Sequence, residues 1–325
     1  MKRGERPLRA SLWYTETAAM EAILHVPPPL DLTRTFSRFR TWGEDPVNRL
    51  GEGVFRRAVR VGGGWHGYEL RWTGEADDPR ITVRVPGARS PRVLAAAVAE
   101  ARRICGADLD LAGFYIAAKA DPVLGDLVGR LHGLRPTLMP EPFEMLVGSI
   151  CAQQVNLTFA FSLRAALVRR FGSSLRVGGE TVYVFPEPAV LARARASQLR
   201  AMKFSGRKAE YIIVLARSIA SGSLDLAAFG DRPNAEIIET LTGLRGLGRW
   251  TAEWFLARGL GRGDVCPAGD LAVRKAFEHF YNRGRGLSER AIRRRAKAWG
   301  PHQNLAVHYL LAGQRLARAT AGGGT

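Results

Sequence analysis

The sequence predicts a mainly helical α+β protein in which an N-terminal antiparallel sheet with helices is followed by an all-helical lobe. Three runs rich in β-branched and aromatic residues, 54–61, 65–72 and 81–85, follow one another early, broken by Gly62-Gly63-Gly64 and by the stretch 74–79. From Asp121-Pro122 onward, nearly every segment instead spaces its apolar residues three and four apart. With 46% hydrophobic residues in a chain of 325, there is apolar material for two lobes, expected at 1–120 and 121–325.

Taken in order, residues 1–48 are rich in Pro, Arg and aromatics, and Pro27-Pro28-Pro29 beside Ile23-Leu24 predicts an extended lead-in. The three β-type runs read as a meander. Ser90-Pro91 supplies an N-cap and first-turn proline for a helix through Val93, Ala97, Ala101 and Ile104. Helical spacing then recurs over 143–155, 158–171, 196–202, 208–221, 234–241, 250–260, 271–281, 288–299 and 303–317. A cleft between the lobes is the expected ligand site.

Between the segments 234–241 and 250–260 lies Thr242-Gly243-Leu244-Arg245-Gly246-Leu247-Gly248-Arg249-Trp250-Thr251. Glycines at 243, 246 and 248 suit a sharp turn, because each can take positive φ and none carries a side chain that would hold a ligand away. Amides at the start of the second helix, with its dipole, suit a phosphate. Such a hairpin grips a nucleic-acid backbone without reading its bases. About twenty residues on, Asp270 is the acid that ends Pro267-Ala268-Gly269-Asp270.

A glycine hairpin followed at this distance by an aspartate resembles the helix-hairpin-helix DNA glycosylase superfamily, and within it the bacterial 3-methyladenine DNA glycosylase II type, over residues 50–315. The sheet plus helix resembles the N-terminal lobe of that branch and of the 8-oxoguanine branch. The resemblance implies that Asp270 is catalytic, its carboxylate stabilising a sugar with oxocarbenium character and orienting the attacking water. Asp270 also stands where an N-cap of the 271–281 helix belongs, and both roles can hold together. Bifunctional relatives carry a lysine in the second hairpin helix; this chain has Trp250 there, which implies a monofunctional enzyme without lyase activity. Trp250 and Trp254 share a helix face and would offer ring faces to a cationic alkylated purine.

Further roles follow from the same resemblance. Gln154 is the candidate wedge for the gap left by an everted base, Gln153 is expected to face the base pocket, and His302 falls where some relatives place another pocket residue. Arg245, Arg249 and Thr251 join Gly243, Gly246 and Gly248 as candidate DNA contacts. The main-chain carbonyls of Thr242, Leu244 and Leu247 match positions that hold a monovalent cation in relatives. Otherwise no cofactor is expected: Cys105, Cys151 and Cys266 lie far apart, form no CxxC pair, and lack the four-cysteine cluster of the iron–sulfur branch. They read as buried thiols.

Forty-eight Lys plus Arg against 30 Asp plus Glu, a net charge of +18, suit a DNA partner. The run Arg290, Arg293, Arg294, Arg295 and Lys297 reads as a solvated face. No apolar run reaches eighteen residues, and Met1-Lys2-Arg3-Gly4-Glu5 carries no apolar signal segment. The expectation is therefore a cytoplasmic, nucleoid-associated monomer with no membrane partner, acting on damaged duplex DNA. Two other readings stay open. One is a glycosylase for oxidised or deaminated bases, against which the missing lysine counts. The other is a non-catalytic helix-hairpin-helix DNA-binding protein, against which Asp270 and the tryptophan pair count.

Overall fold

The computed structural model describes residues 19–322; the polar start Met1–Glu5 and the end of the glycine tail lie outside the described residues. The lead-in contains β1 (Met20–Ile23), then α1 (Leu32–Phe36), capped by Asp31, and α2 (Arg38–Thr41). The strands β2 (Arg49–Leu50), β3 (Val54–Val61), β4 (Gly64–Thr73) and β5 (Arg80–Val85) complete a sheet of order β1-β5-β4-β3-β2, antiparallel throughout. The meander falls where the sequence put it. β1 was not foreseen: four residues beside prolines carry too little alternation to show that they pair with β5.

Next come α3 (Pro91–Ile104), α4 (Leu111–Ala118), α5 (Pro122–Arg130), α6 (Pro142–Ala152) and α7 (Leu157–Phe171). The second lobe is helical as expected, with one departure: β6 (Ser174–Val177) and β7 (Glu180–Tyr183) form a hairpin inside it. Its turn is Gly178-Gly179, with φ of +53° and +80°, a conformation that glycine pairs supply and that matches strand twist. The hairpin docks on the sheet at Gly67, where an added Cβ would stand 2.2 Å from a Val177 methyl. The remaining helices are α8 (Pro188–Ala192), α9 (Ala196–Arg200), α10 (Gly206–Ala220), α11 (Asn234–Thr242), α12 (Arg249–Trp254), α13 (Leu271–Tyr281), α14 (Glu289–Lys297) and α15 (Gln303–Gly322). The helix expected over 250–260 is not regular: after Trp254 it widens into a π-helical turn, Phe255–Gly259, closed by Leu260 N–H on Phe255 O at 3.0 Å.

Three apolar clusters form the core. One lies between the sheet, α1 and α3, and includes Phe36, Phe55, Leu70, Val83, Ala97 and Ala101. A second gathers α6 to α12 around Leu146, Leu167, Ile212, Leu241 and Phe255. In the third, Phe114 of α4 and Leu127 of α5 pack with Phe277, Tyr309 and Leu310 of α13 and α15. Sheet and helices are also joined by buried charge. Arg57 of β3 reaches Glu100 of α3 at 2.9 Å and Glu144 of α6 at 2.6 Å. Arg164 of α7 pairs with Glu144 and, at 2.6 Å, with Asp45. Arg135, 2% exposed, donates to the carbonyls of Pro27, Pro29, Gly106, Ala107 and Leu109 and so ties the lead-in to the body. Among the described residues no helix is long and apolar enough to cross a membrane, and all three cysteines are buried thiols, pushed up to about 12 by burial.

Candidate active site

α12 starts without a side-chain cap, since its N-cap is Gly248. Leu247 N–H closes a turn on Leu244 O at 3.1 Å, and Gly246, at φ +94°, occupies the position that demands a left-handed residue. A Cβ on Gly246 would also stand 2.2 Å from the Tyr211 ring of α10. Only this one of the three glycines fits the positive-φ expectation. Gly243 ends α11 in right-handed geometry at φ −69°, and Gly248 is extended at φ −99°. Around Gly248 nothing stands within 4 Å of an added Cβ, so its approach is open. Among the described residues, the amides of Gly246, Gly248, Arg249 and Trp250 donate to no acceptor of the chain.

Asp270 closes the loop from the π-turn and begins α13. Oδ1 accepts the amides of Ala272 at 2.8 Å and Val273 at 3.0 Å, which is the N-cap the sequence pointed to. Oδ2 accepts two indole N–H groups, Trp250 Nε1 at 2.6 Å and Trp254 Nε1 at 3.2 Å. The spacing of four along α12 puts both indoles on one side, and Trp254 packs against both helical clusters, so the carboxylate stands at their seam. Both ring edges turn toward Asp270. One face of Trp254 is covered: the Arg258 guanidinium lies 5.2 Å from its ring centroid, so that face is not free to receive a cationic base.

Gln153, the C-cap of α6, donates through Nε2 to Gly246 O at 2.8 Å, so its amide is engaged by the hairpin rather than facing a pocket. Gln154 beside it is exposed and left-handed at φ +55°, a conformation few non-glycine residues adopt. Beneath this turn, Lys208 Nζ donates to Cys151 O at 2.8 Å. Arg245 is largely exposed, with a 3.7 Å contact to Glu210. Arg249 is exposed too, but it is steered by Glu253 at 2.9 Å. Thr251 is 1% exposed, so its hydroxyl is not presented to a strand. His302 packs on Phe114, ring centroids 6.2 Å apart, and among the described residues no hydrogen bond or ring contact joins it to the tryptophan pair.

The structure adds residues that sequence reasoning passed over. Glu253, 2% exposed, is an anchor holding both Arg249 and Arg293, the latter at 2.7 Å. The α14 charge run is therefore only partly a solvated face: Arg293 is bound by Glu253 and Glu289, and Arg295 lies 3.6 Å from the Tyr281 centroid. Arg258 could have been found as the next step of the Trp250, Trp254 series, four residues on.

Residues 147–302 match the family model described as HhH-GPD superfamily base excision DNA repair protein. A DNA-3-methyladenine glycosylase of Bacillus subtilis is 34% identical over 203 residues, 62% of this chain and 67% of its own length. DNA-3-methyladenine glycosylase 1 of Schizosaccharomyces pombe is 30% identical over 195 residues, 60% of this chain and 82% of that protein. Among solved structures, the 3-methyladenine DNA glycosylase of Archaeoglobus fulgidus superposes with a TM-score of 0.81 at 27% identity, covering 91% of this chain and 98% of the other.

Proposed function

Because the chain belongs to the HhH-GPD superfamily of base excision DNA repair proteins, we propose that it is a DNA N-glycosylase that turns an alkylated purine out of duplex DNA and hydrolyses its N-glycosidic bond. One observation carries the reading: four donors fix the Asp270 carboxylate beside the glycine hairpin. A carboxylate held in one orientation stabilises positive charge as it develops on the sugar, without the reorganisation that water would require. Alkylation already makes the base a good leaving group, so no general acid is needed. Extrusion costs a few kcal/mol and costs least where pairing is already weak. The strain and exposure of Gln154 support its role as the inserted wedge.

Hydrolysis without strand cleavage is proposed because Trp250, not a lysine, stands at the hairpin helix and hands its N–H to Asp270. The free hairpin amides, with Arg245 and Arg249, are the proposed phosphate contacts. A monovalent cation fits the hairpin: among the described residues the Thr242 and Leu247 carbonyls accept no hydrogen bond, and Leu244 O takes only one amide. Bound there, it would add positive charge beside a phosphate. No other cofactor is proposed. One site per lesion needs one chain, so the working form is proposed to be a monomer, acting where the DNA is, in the cytoplasm at the nucleoid.

The test is abasic-site formation. Methylated duplex DNA incubated with the protein and then treated with alkali should break, and Asp270→Asn should lower the rate by about a hundredfold or more while DNA binding persists. Equal breakage by the variant would remove Asp270 from the chemistry, and breaks without alkali would overturn the monofunctional reading.

A further inference from the structure

The loop that ends in Asp270 is pinned by an arginine from another helix. Nη1 of Arg293, on α14, donates to Cys266 O at 3.3 Å and stands 2.7 Å from Glu253 Oε1. Its Nε and Nη2 donate to Glu289 Oε1 at 3.0 and 2.6 Å. The same Cys266 carbonyl accepts Ala268 N–H at 2.7 Å, and Asp270 N–H donates to Pro267 O at 2.9 Å. Arg293 therefore holds the first link of a five-residue stretch whose two tight turns deliver the carboxylate. Glu289 also lies against that stretch, its Oε2 being 3.5 Å from where a Cβ on Gly269 would stand.

Glu253 is where this pin meets the hairpin. Its Oε1 accepts Nε of Arg249, the first residue of α12, at 2.9 Å, and pairs with Arg293 as well. The two arginines lie differently. Arg249 keeps 60% of its side chain exposed, whereas Arg293 keeps 28% and reaches inward to the loop. Glu253 itself is buried, so water and salt screen its hold on both arginines only weakly. Both share one oxygen, while Oε2 is buried with no hydrogen-bond partner. Such an arrangement gives up an acceptor and sets the two guanidinium groups on a common atom.

We propose that Arg293 and Glu253 are positioning residues for hydrolysis, which together fix the Asp270 loop relative to the end of α12 that holds the strand. This rests on the glycosylase reading and deepens it. The carboxylate must stand beside C1′ of one nucleotide, and which nucleotide that is depends on where the hairpin holds the backbone. Two indoles and two amides set the direction of the carboxylate; Arg293 and Glu253 set the place of the loop that carries it. A displacement of about 1 Å in such a group can cost about a hundredfold in rate. Arg249, on the same oxygen, serves the strand, so one carboxylate joins the binding arm to the chemical one.

Single-turnover base release from methylated duplex, with enzyme in saturating excess, is measured beside the salt dependence of duplex affinity. Under that excess, a smaller folded fraction leaves the rate unchanged, so a slower rate reports the site. Arg293→Met should slow release by about tenfold while the affinity stays within about twofold of wild type and the salt slope holds. Arg249→Met should do the reverse, lowering the salt slope by about one and weakening affinity with the saturated rate within about threefold. Glu253→Gln should slow release about as much as Arg293→Met, and the double variant should lose no more than about twofold further. An unchanged rate in Arg293→Met, a salt slope that moves with it, or losses that multiply in the double variant would overturn the proposal. Should Arg293→Met fail to fold, Glu289→Gln at the half-exposed partner decides: release slows by about threefold with the salt slope unmoved, or the proposal is wrong. A wild type inert on methylated duplex sinks the glycosylase reading and this inference together, whereas an active one whose variants miss these outcomes sinks this inference alone.

Discussion

Asp270 has one oxygen committed to backbone and the other to two indoles of unequal reach. The shorter bond, from Trp250 at 2.6 Å, does more to orient the carboxylate than the 3.2 Å bond from Trp254. Trp250→Phe keeps a ring and deletes the N–H, and kcat should fall by about ten- to a hundredfold with KM little changed. Trp254→Phe should cost less; single-turnover kinetics that rank the two the other way would contradict this account. The aspartate and both tryptophans were legible because a loop acid after a glycine hairpin and a four-residue spacing are one-dimensional patterns. Arg258 and Glu253 were not, since whether an arginine or a glutamate on a helix faces water or the interior depends on elements far along the chain. The hidden faces of these two residues are set by Asn304 and His308 of α15 and by Arg293 of α14.

At the level of elements, the hairpin sorts its glycines by need. Gly246→Ala must place an L-residue at φ +94° and push a Cβ into Tyr211, so it should destabilise the protein by about 2 kcal/mol or more and lower the melting temperature. Gly248→Ala has ordinary φ and empty space, so the melting temperature should hold while duplex affinity drops, because the methyl stands where a phosphate would approach. Melting curves beside a DNA titration separate the two effects, and equal destabilisation by both changes would refute the assignment. Strands β3 to β5 and the helices with long apolar stripes showed in the sequence because their periods run over many residues. The β6–β7 hairpin went unread although Gly178-Gly179 sits between alternating Leu175, Val177 and Val182, Val184, a signal lost among helical neighbours. The π-turn leaves no compositional trace, because nothing in Phe255–Gly259 differs in kind from a helix.

Across the whole molecule, the sheet is joined to the helices by charges that oil-like packing alone would not specify. Burial by itself would raise Asp45 and Glu144, but Arg164, with Arg57 at Glu144, outweighs it and holds both below the usual carboxylate range. Carboxylates depressed in the folded state contribute stability that is full above their unfolded values, near 4, and that drains away as pH falls through the folded ones. Denaturant midpoints should therefore drop steeply below about pH 4, and Glu144→Gln, already weaker at neutral pH, should show a shallower acid slope. Parallel slopes in the two proteins would place the acid lability elsewhere. None of this network could be seen in a list of residues: Arg57, Glu144 and Arg164 meet only because β3, α6 and α7 do.

Gln153 bound to the carbonyl of Gly246 has a mechanical meaning. Two loops 93 residues apart along the chain are latched together, the one proposed to hold a strand from outside and the one proposed to enter the helix axis. Their offset is thereby preset, like the jaws and punch of a single tool, and the duplex rather than the protein has to yield when they engage. Lesions that soften the duplex locally would then be found by the ease with which it deforms, before any atom of the altered base is touched.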